Sequence, residues 1–183
     1  LAEDGEDGDI SAATGTSEIV KIHLARSGAG GADITAAVFA GWTGDTNNYI
    51  WVYANTGHRA KKTGLDTAIY YMHNNDNLEA CIDEDDDFIF VDGVQILVTA
   101  TSTNTRYGIK LDVMVASTWN RIANSYINAA ASGTGVVYGI FLQDSDLIAQ
   151  IWNCIVTNFK SGTDSSHVGI VETGSSTSSV IYN

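Results

Sequence analysis

Five consecutive acidic residues, Asp83 to Asp87, stand in CIDEDDDFIFVDGVQI directly against a β-branched and aromatic run. Carboxylates packed this closely repel one another, so the cluster asks for a cation, a catalytic task or open solvent. Ca²⁺ takes hard oxygen ligands, and Asp83, Asp85 and Asp87, completed by backbone carbonyls, are the candidate calcium set. An EF-hand loop started at Asp83 needs Gly at its sixth position and Glu at its twelfth; the chain has Phe88 and Val94 there, which excludes that motif. The competing expectation is a surface turn whose charges are solvated and guard the apolar strand behind them. EDGEDGD (Glu3 to Asp9) poses the same choice, with a solvated terminal loop expected. GAGGAD (Gly28 to Asp33) faintly resembles calcium-binding nonapeptide repeats, and a single imperfect copy carries little weight.

Other reactive constellations are sparse. Asp144 and Asp146 in LQDSDL are a close carboxylate pair that can share acid and base roles, although one such pair in a turn ordinarily just makes the turn. His23, His58, His73 and His167 have no ligand spacing, and neither a nucleophile elbow nor a phosphate-binding loop occurs. No catalytic residue is expected. Aromatic residues are the stronger candidates. In YIWVY, alternation places Tyr49, Trp51 and Tyr53 on one face and Ile50 and Val52 on the other. With the aliphatic residues in a core, three rings line the outside of a sheet, and Trp119 and Trp152 extend that surface. Such rings suit a subunit or domain interface, stack on sugar faces, or pack beneath a loop.

These side chains need elements to position them, and composition narrows the choice. The chain has 183 residues, enough for one domain with a real core. With 22 acidic against 9 basic residues its net charge is −13, which argues against nucleic acid and anionic membranes as partners. No window is apolar enough to span a bilayer. Leu1 opens onto a polar run, so the chain is expected to be processed or part of a longer one. Proline is absent and glycine numbers 18, which suits stacked strands whose ladder N–H groups are all needed and whose turns tolerate positive φ. Cys81 and Cys154 make no metal spacing; Cys154 in IWNCIV is expected to be a buried free thiol, with a single bridge as the alternative.

The chain repeats itself. YGIKL from Tyr107, YGIFL from Tyr138 and VGIVE from Val168 are offset by 31 and 30 residues, and Asn124, Asn153 and Asn183 recur at 29 and 30. IVKIHL, YIWVYA and FIFVDGVQI are weaker echoes upstream. Short strands separated by Gly, Ser, Asn and Asp turns, with no helical apolar period, read as a solenoid of about 30-residue units. Propeller blades need about 40 residues, so the expected fold is all-β, a parallel β-helix. Residues 1–18 are an acidic, Gly-rich segment; residues 19–183 form the β-helix, irregular over 19–87 and regular over 88–183.

The pattern xGIxL, a turn, then IxNxxI resembles the right-handed parallel β-helix proteins of the pectate-lyase-like superfamily, in particular large secreted or surface β-helix proteins of bacteria and phages. The resemblance covers Ile19 to the end and is strongest from Phe88. It implies that Asn124, Asn153 and Asn183 stack as a hydrogen-bonded turn ladder. It also implies two functional classes. One is a non-catalytic structural, assembly or adhesion module, extracellular, on a cell surface or on a virion, self-associating through open ends or packing on other domains of its chain. The other is a polysaccharide lyase, a tailspike-type depolymerase or a glycan-binding β-helix. Lyases of this fold use Lys or Arg bases beside calcium-binding Asp. Here the candidate bases are Lys110 and Arg121, and neither sits beside a paired Asp motif along the chain.

Overall fold

A computed structural model describes residues 18–26, 31–75, 77–101, 103–112, 118–130, 135–143, 148–159, 168–173 and 179–182. Among the described residues, fifteen short strands follow one another: β1 Val20–Leu24, β2 Ala37–Phe39, β3 Ile50–Ala54, β4 Met72–Asn75, β5 Ala80–Glu84, β6 Ile89–Asp92, β7 Gln95–Thr99 and β8 Arg106–Leu111. Then come β9 Trp119–Ala123, β10 Tyr126–Ala129, β11 Val137–Leu142, β12 Ile148–Trp152, β13 Ile155–Thr157, β14 Val168–Glu172 and β15 Val180–Tyr182. Every strand pair is parallel and joins a strand to its equivalent one rung away. Three sheets result, of order β1-β3-β6-β9-β12-β15, β4-β7-β10-β13 and β2-β5-β8-β11-β14. The chain is therefore a parallel β-helix of about four turns, with about 30 residues and three strands per rung.

Alternation along each strand sends one side chain inward and the next outward, and stacking aligns the inward ones in columns. Ile50, Ile89 and their neighbours Val52, Val91, Ile122 and Ile151 form one apolar column set, and Ile82, Ile109 and Ile140 another, all essentially without solvent exposure. Stacking identical β-branched residues fills the interior at constant cross-section, so the repeat needs no helix to cover a sheet face.

The glycine of xGIxL has a steric origin. A Cβ on Gly108 would lie 2.6 Å from the Gly139 carbonyl oxygen and 3.0 Å from Ile127 of the adjacent sheet. On Gly139 it would lie 2.4 Å from the Gly169 carbonyl oxygen and 2.6 Å from Val156. The third sheet meets the second at this seam, and only a hydrogen fits between them. One rung earlier, where the irregular part of the helix begins, Cys81 takes the corresponding place, fully buried.

Two-residue turns connect the first sheet to the second in the regular rungs: Gly93–Val94, Asn124–Ser125 and Asn153–Cys154. Gly93, Asn124 and Asn153 all have left-handed backbone, with φ of 73°, 53° and 52°. Asn is the non-glycine residue that best tolerates this region, which is why the repeat accepts Gly or Asn there. In the preceding rung the same connection is a long excursion, residues 55–71, that returns over the turn: Ala60 donates to the Gly93 carbonyl and Asp66 N–H to Gln95 Oε1. Cys81 and Cys154 are both free; burial pushes the Cys154 thiol up to about 11.

Candidate functional site

The six-stranded sheet carries the outward aromatic residues. Trp51 on β3 pairs in register with Phe90 on β6, and their rings stack 5.9 Å apart at 9°. Phe90 stacks on Trp152 at 5.6 Å and 23°, and Trp152 on Tyr182 at 6.3 Å and 11°. Phe90 is in register with Arg121 and Trp152 with Ala123, so these two rings meet diagonally across β9, next to the small Ala123 side chain. Tyr53 leans on Trp51 at 4.7 Å and hydrogen-bonds His23, and the Lys21 ammonium sits 5.5 Å from the Trp51 ring centre. Trp51, Tyr53 and Trp152 thus share one continuous ladder, whereas Tyr49 and Trp119 do not. Those two make a separate edge-to-face cluster with Phe88 at the rim, where Trp119 is 7% exposed and the Arg121 guanidinium covers its ring at 3.8 Å. Phe90 and Tyr182 were not singled out from the sequence. The signal was there: FIFVD and VIY fall in the same strand position as YIWVY.

The turn asparagines form a second ladder. Asn153 Nδ2 donates to Asn124 Oδ1 at 2.5 Å, and Asn124 Nδ2 donates to Asp92 Oδ1 at 2.7 Å. Arg59 closes the series, its Nη2 donating to the same Asp92 oxygen at 2.5 Å. A Cβ on Gly93 would lie 2.9 Å from Arg59 Cζ, so glycine gives room for the guanidinium as well as for positive φ. Asn183 lies outside the described residues. A matching pair occurs at the next corner, where Asn158 (φ 64°) donates to Asn128 Oδ1 at 2.6 Å.

The acidic run is divided among several tasks. Asp83 and Glu84 belong to β5 itself, so the turn expected over the whole run is confined to Asp85, Asp86 and Asp87, entering β6 through Phe88 at φ 61°. Asp86 accepts from Gly41 N at 3.1 Å and Trp42 N at 3.0 Å, and Asp87 accepts from Thr118 Oγ1 at 2.7 Å. Asp85 is exposed. Glu84 corrects the expectation of solvated charges. It points into the core in register with Leu111, is 1% exposed, and neither side-chain oxygen has a hydrogen-bond partner among the described residues. Burial, then the neighbouring Asp86, Asp87, Asp85 and Asp83, raise its carboxyl well above the ordinary range. Asp83, Asp85 and Asp87 do not converge, and no group of three metal-ligating side chains forms among the described residues.

Rung stacking does bring carboxylates to Lys110, which looked isolated along the chain. Asp83 is its register partner one rung away, with Oδ1 at 3.7 Å; Asp112 Oδ2 lies at 2.8 Å and Glu79 Oε1 at 3.1 Å. Burial alone would lower the Lys110 ammonium, but the hydrogen bonds to Asp112 and Glu79 and the charge of Asp83 outweigh it and hold the group above its usual value. Tyr107, stacked on Tyr138 at 5.5 Å, flanks it. Arg121 is likewise engaged, donating to Gln150 Oε1 at 2.8 Å. The pair Asp144 and Asp146, His167, the EDGEDGD segment and residues 28–30 of GAGGAD lie outside the described residues.

The chain matches no protein-family model, no curated protein and no solved structure, so its function is read from this geometry. No helix among the described residues is long and apolar enough to cross a membrane.

Proposed function

We propose that the chain is a non-catalytic β-helix module of the pectate-lyase-like type, serving assembly or adhesion on an extracellular or virion surface. One observation carries this reading: the outward aromatic residues of the six-stranded sheet stack on one another. A ring that binds a sugar presents a free face, whereas Trp51, Phe90 and Trp152 stack nearly parallel on one another along the sheet and are each half-buried. Such a ladder stiffens the rungs in the way an interior column does. Lys110 supports the same reading, because an ammonium held by three carboxylates is a poor proton acceptor.

The test is turnover. The protein is incubated with a panel of neutral and acidic polysaccharides, with and without Ca²⁺, following new reducing ends and unsaturated products. Background rates are expected throughout. Depolymerisation that disappears in a folded Lys110→Ala variant would replace the scaffold reading by a lyase.

A further inference from the structure

Three of the chain's nine Lys and Arg residues fall within four positions, Arg59 to Lys62. They sit on the excursion that replaces the two-residue turn and folds back over the asparagine ladder. There they border a depression of ≈ 270 Å³ with Asn124 and Asn153 on its floor and Tyr126 on its wall. In register beside Tyr126 is Ile155, which extends the apolar wall. No lining residue is acidic, in a protein with 22 carboxylate side chains.

The hydrogen-bond inventory leaves donors over. Arg59 uses one Nη2 contact on Asp92, which is 5% exposed and takes Asn124 on the same oxygen. Lys61 is paired at 2.5 Å with Asp66, which does not line the depression. Lys62 is exposed and has no partner among the described residues. Asn124 and Asn153 each commit their amide nitrogen to one ladder contact, which leaves each a second N–H. Three cations therefore face two carboxylates, neither of which lines the depression, and the unspent donors are of the kinds that bind oxyanions.

We propose that this depression is an oxyanion site, taking the carboxylate or sulfate group of a small acidic ligand, with Lys62 as its principal contact and Tyr126 beside the ligand's body. The same chemistry has two sources, a free inorganic anion and an acidic saccharide. The site is independent of the scaffold role, since it is read by binding and not by turnover.

The test uses the ¹⁵N-labelled full chain at low ionic strength, titrated separately with sodium sulfate, methyl glucuronoside and the methyl ester of that glucuronoside. Sulfate and the glucuronoside are expected to shift the backbone amides of Lys62 and the side-chain amides of Asn124 and Asn153, saturably, while the uncharged ester leaves them in place. Tighter binding of the glucuronoside than of sulfate assigns the saccharide source; equal affinities assign a free anion. Lys62→Ala should weaken binding about tenfold, as expected for loss of a charge-assisted contact. Lys62 is exposed, so the variant should keep the parent circular dichroism, and Lys21→Ala on the six-stranded sheet should bind like the parent. Amides that respond to neither anion, that respond equally to the ester, or that titrate unchanged in Lys62→Ala would overturn the proposal.

Discussion

The turn at Gly93, Asn124 and Asn153 follows the strands of the six-stranded sheet, and the corner at Asp85, Asp86 and Asp87 precedes one of them. In the turn, polar side chains of successive rungs bond to one another, because the same residue type returns at the same backbone conformation. In the acidic run, five adjacent carboxylates span the end of β5 and the corner, and the residues in register with Asp83 and Glu84 one rung on are Lys110 and Leu111 rather than further acids. Each finds its own partner: a lysine, a pair of backbone N–H groups, a threonine hydroxyl, solvent, or in Glu84's case none. Polar groups that repeat along the helix axis thus reinforce the fold, while polar groups that occur once must be accommodated individually.

Substitutions can break that contrast from either side. The largest effect is expected at the repeat's seam. Gly139→Ala places a methyl against the Gly169 carbonyl oxygen and Val156 and should cost about 3 kcal/mol or more, seen as a lower midpoint in urea denaturation. Asn124→Ala removes both ladder contacts and puts alanine at positive φ; about 2 kcal/mol is expected, of which Asn124→Gly should recover the backbone part but not the hydrogen bonds. If the two variants are equally destabilised, the ladder bonds rather than the backbone carry the turn.

On the acidic side the sign reverses. Glu84→Leu matches the residue stacked above it, Leu111, and relieves an unpartnered buried carboxyl, so it should stabilise by about 1–2 kcal/mol at neutral pH. The pH dependence follows from the raised carboxyl. Below about 4.5, the ordinary value for Glu, the group is protonated in both folded and unfolded chains and costs nothing through ionisation. As pH rises past that value the unfolded chain releases its proton first, so stability falls towards the folded pKa. Thermal melts from pH 4 upward should show this decline in the parent and a shallower one in Glu84→Leu; parallel curves would mean that Glu84 is not the group responsible. The smallest effect belongs to Asp85→Asn, an exposed acid whose side chain makes no hydrogen bond among the described residues, expected within about 0.5 kcal/mol of the parent.

Much of the fold was legible because the repeat writes itself into the sequence. YGIKL and YGIFL pair residue for residue in β8 and β11, and the interval between Asn124 and Asn153 is one rung. The candidate surface was legible in part: alternation in YIWVY is enough to place Trp51 and Tyr53 outside. It was not enough to join Trp51 to Phe90, because the excursion of residues 55–71 lengthens that rung to 39 residues and hides the register. The same excursion carries Arg59, Lys61 and Lys62, whose clustering in so acidic a chain was itself a visible signal. Lys110 and Glu84 were illegible for another reason. Their environments are made by neighbours one rung away or by the strand's inward face, 27 residues apart in register rather than adjacent in sequence.

What the sequence determined by itself is therefore the periodic part: strand length, rung length, the glycine and asparagine positions, and the apolar columns. A parallel stack copies local patterns without altering them, so local pattern suffices there. Only the tertiary structure decided which aperiodic side chains meet. It set Lys110 among three carboxylates, buried Glu84, stacked Trp51 on Phe90 and laid Arg59 across Gly93. Those contacts depend on loop length and register between rungs, and neither has a local signature in the chain.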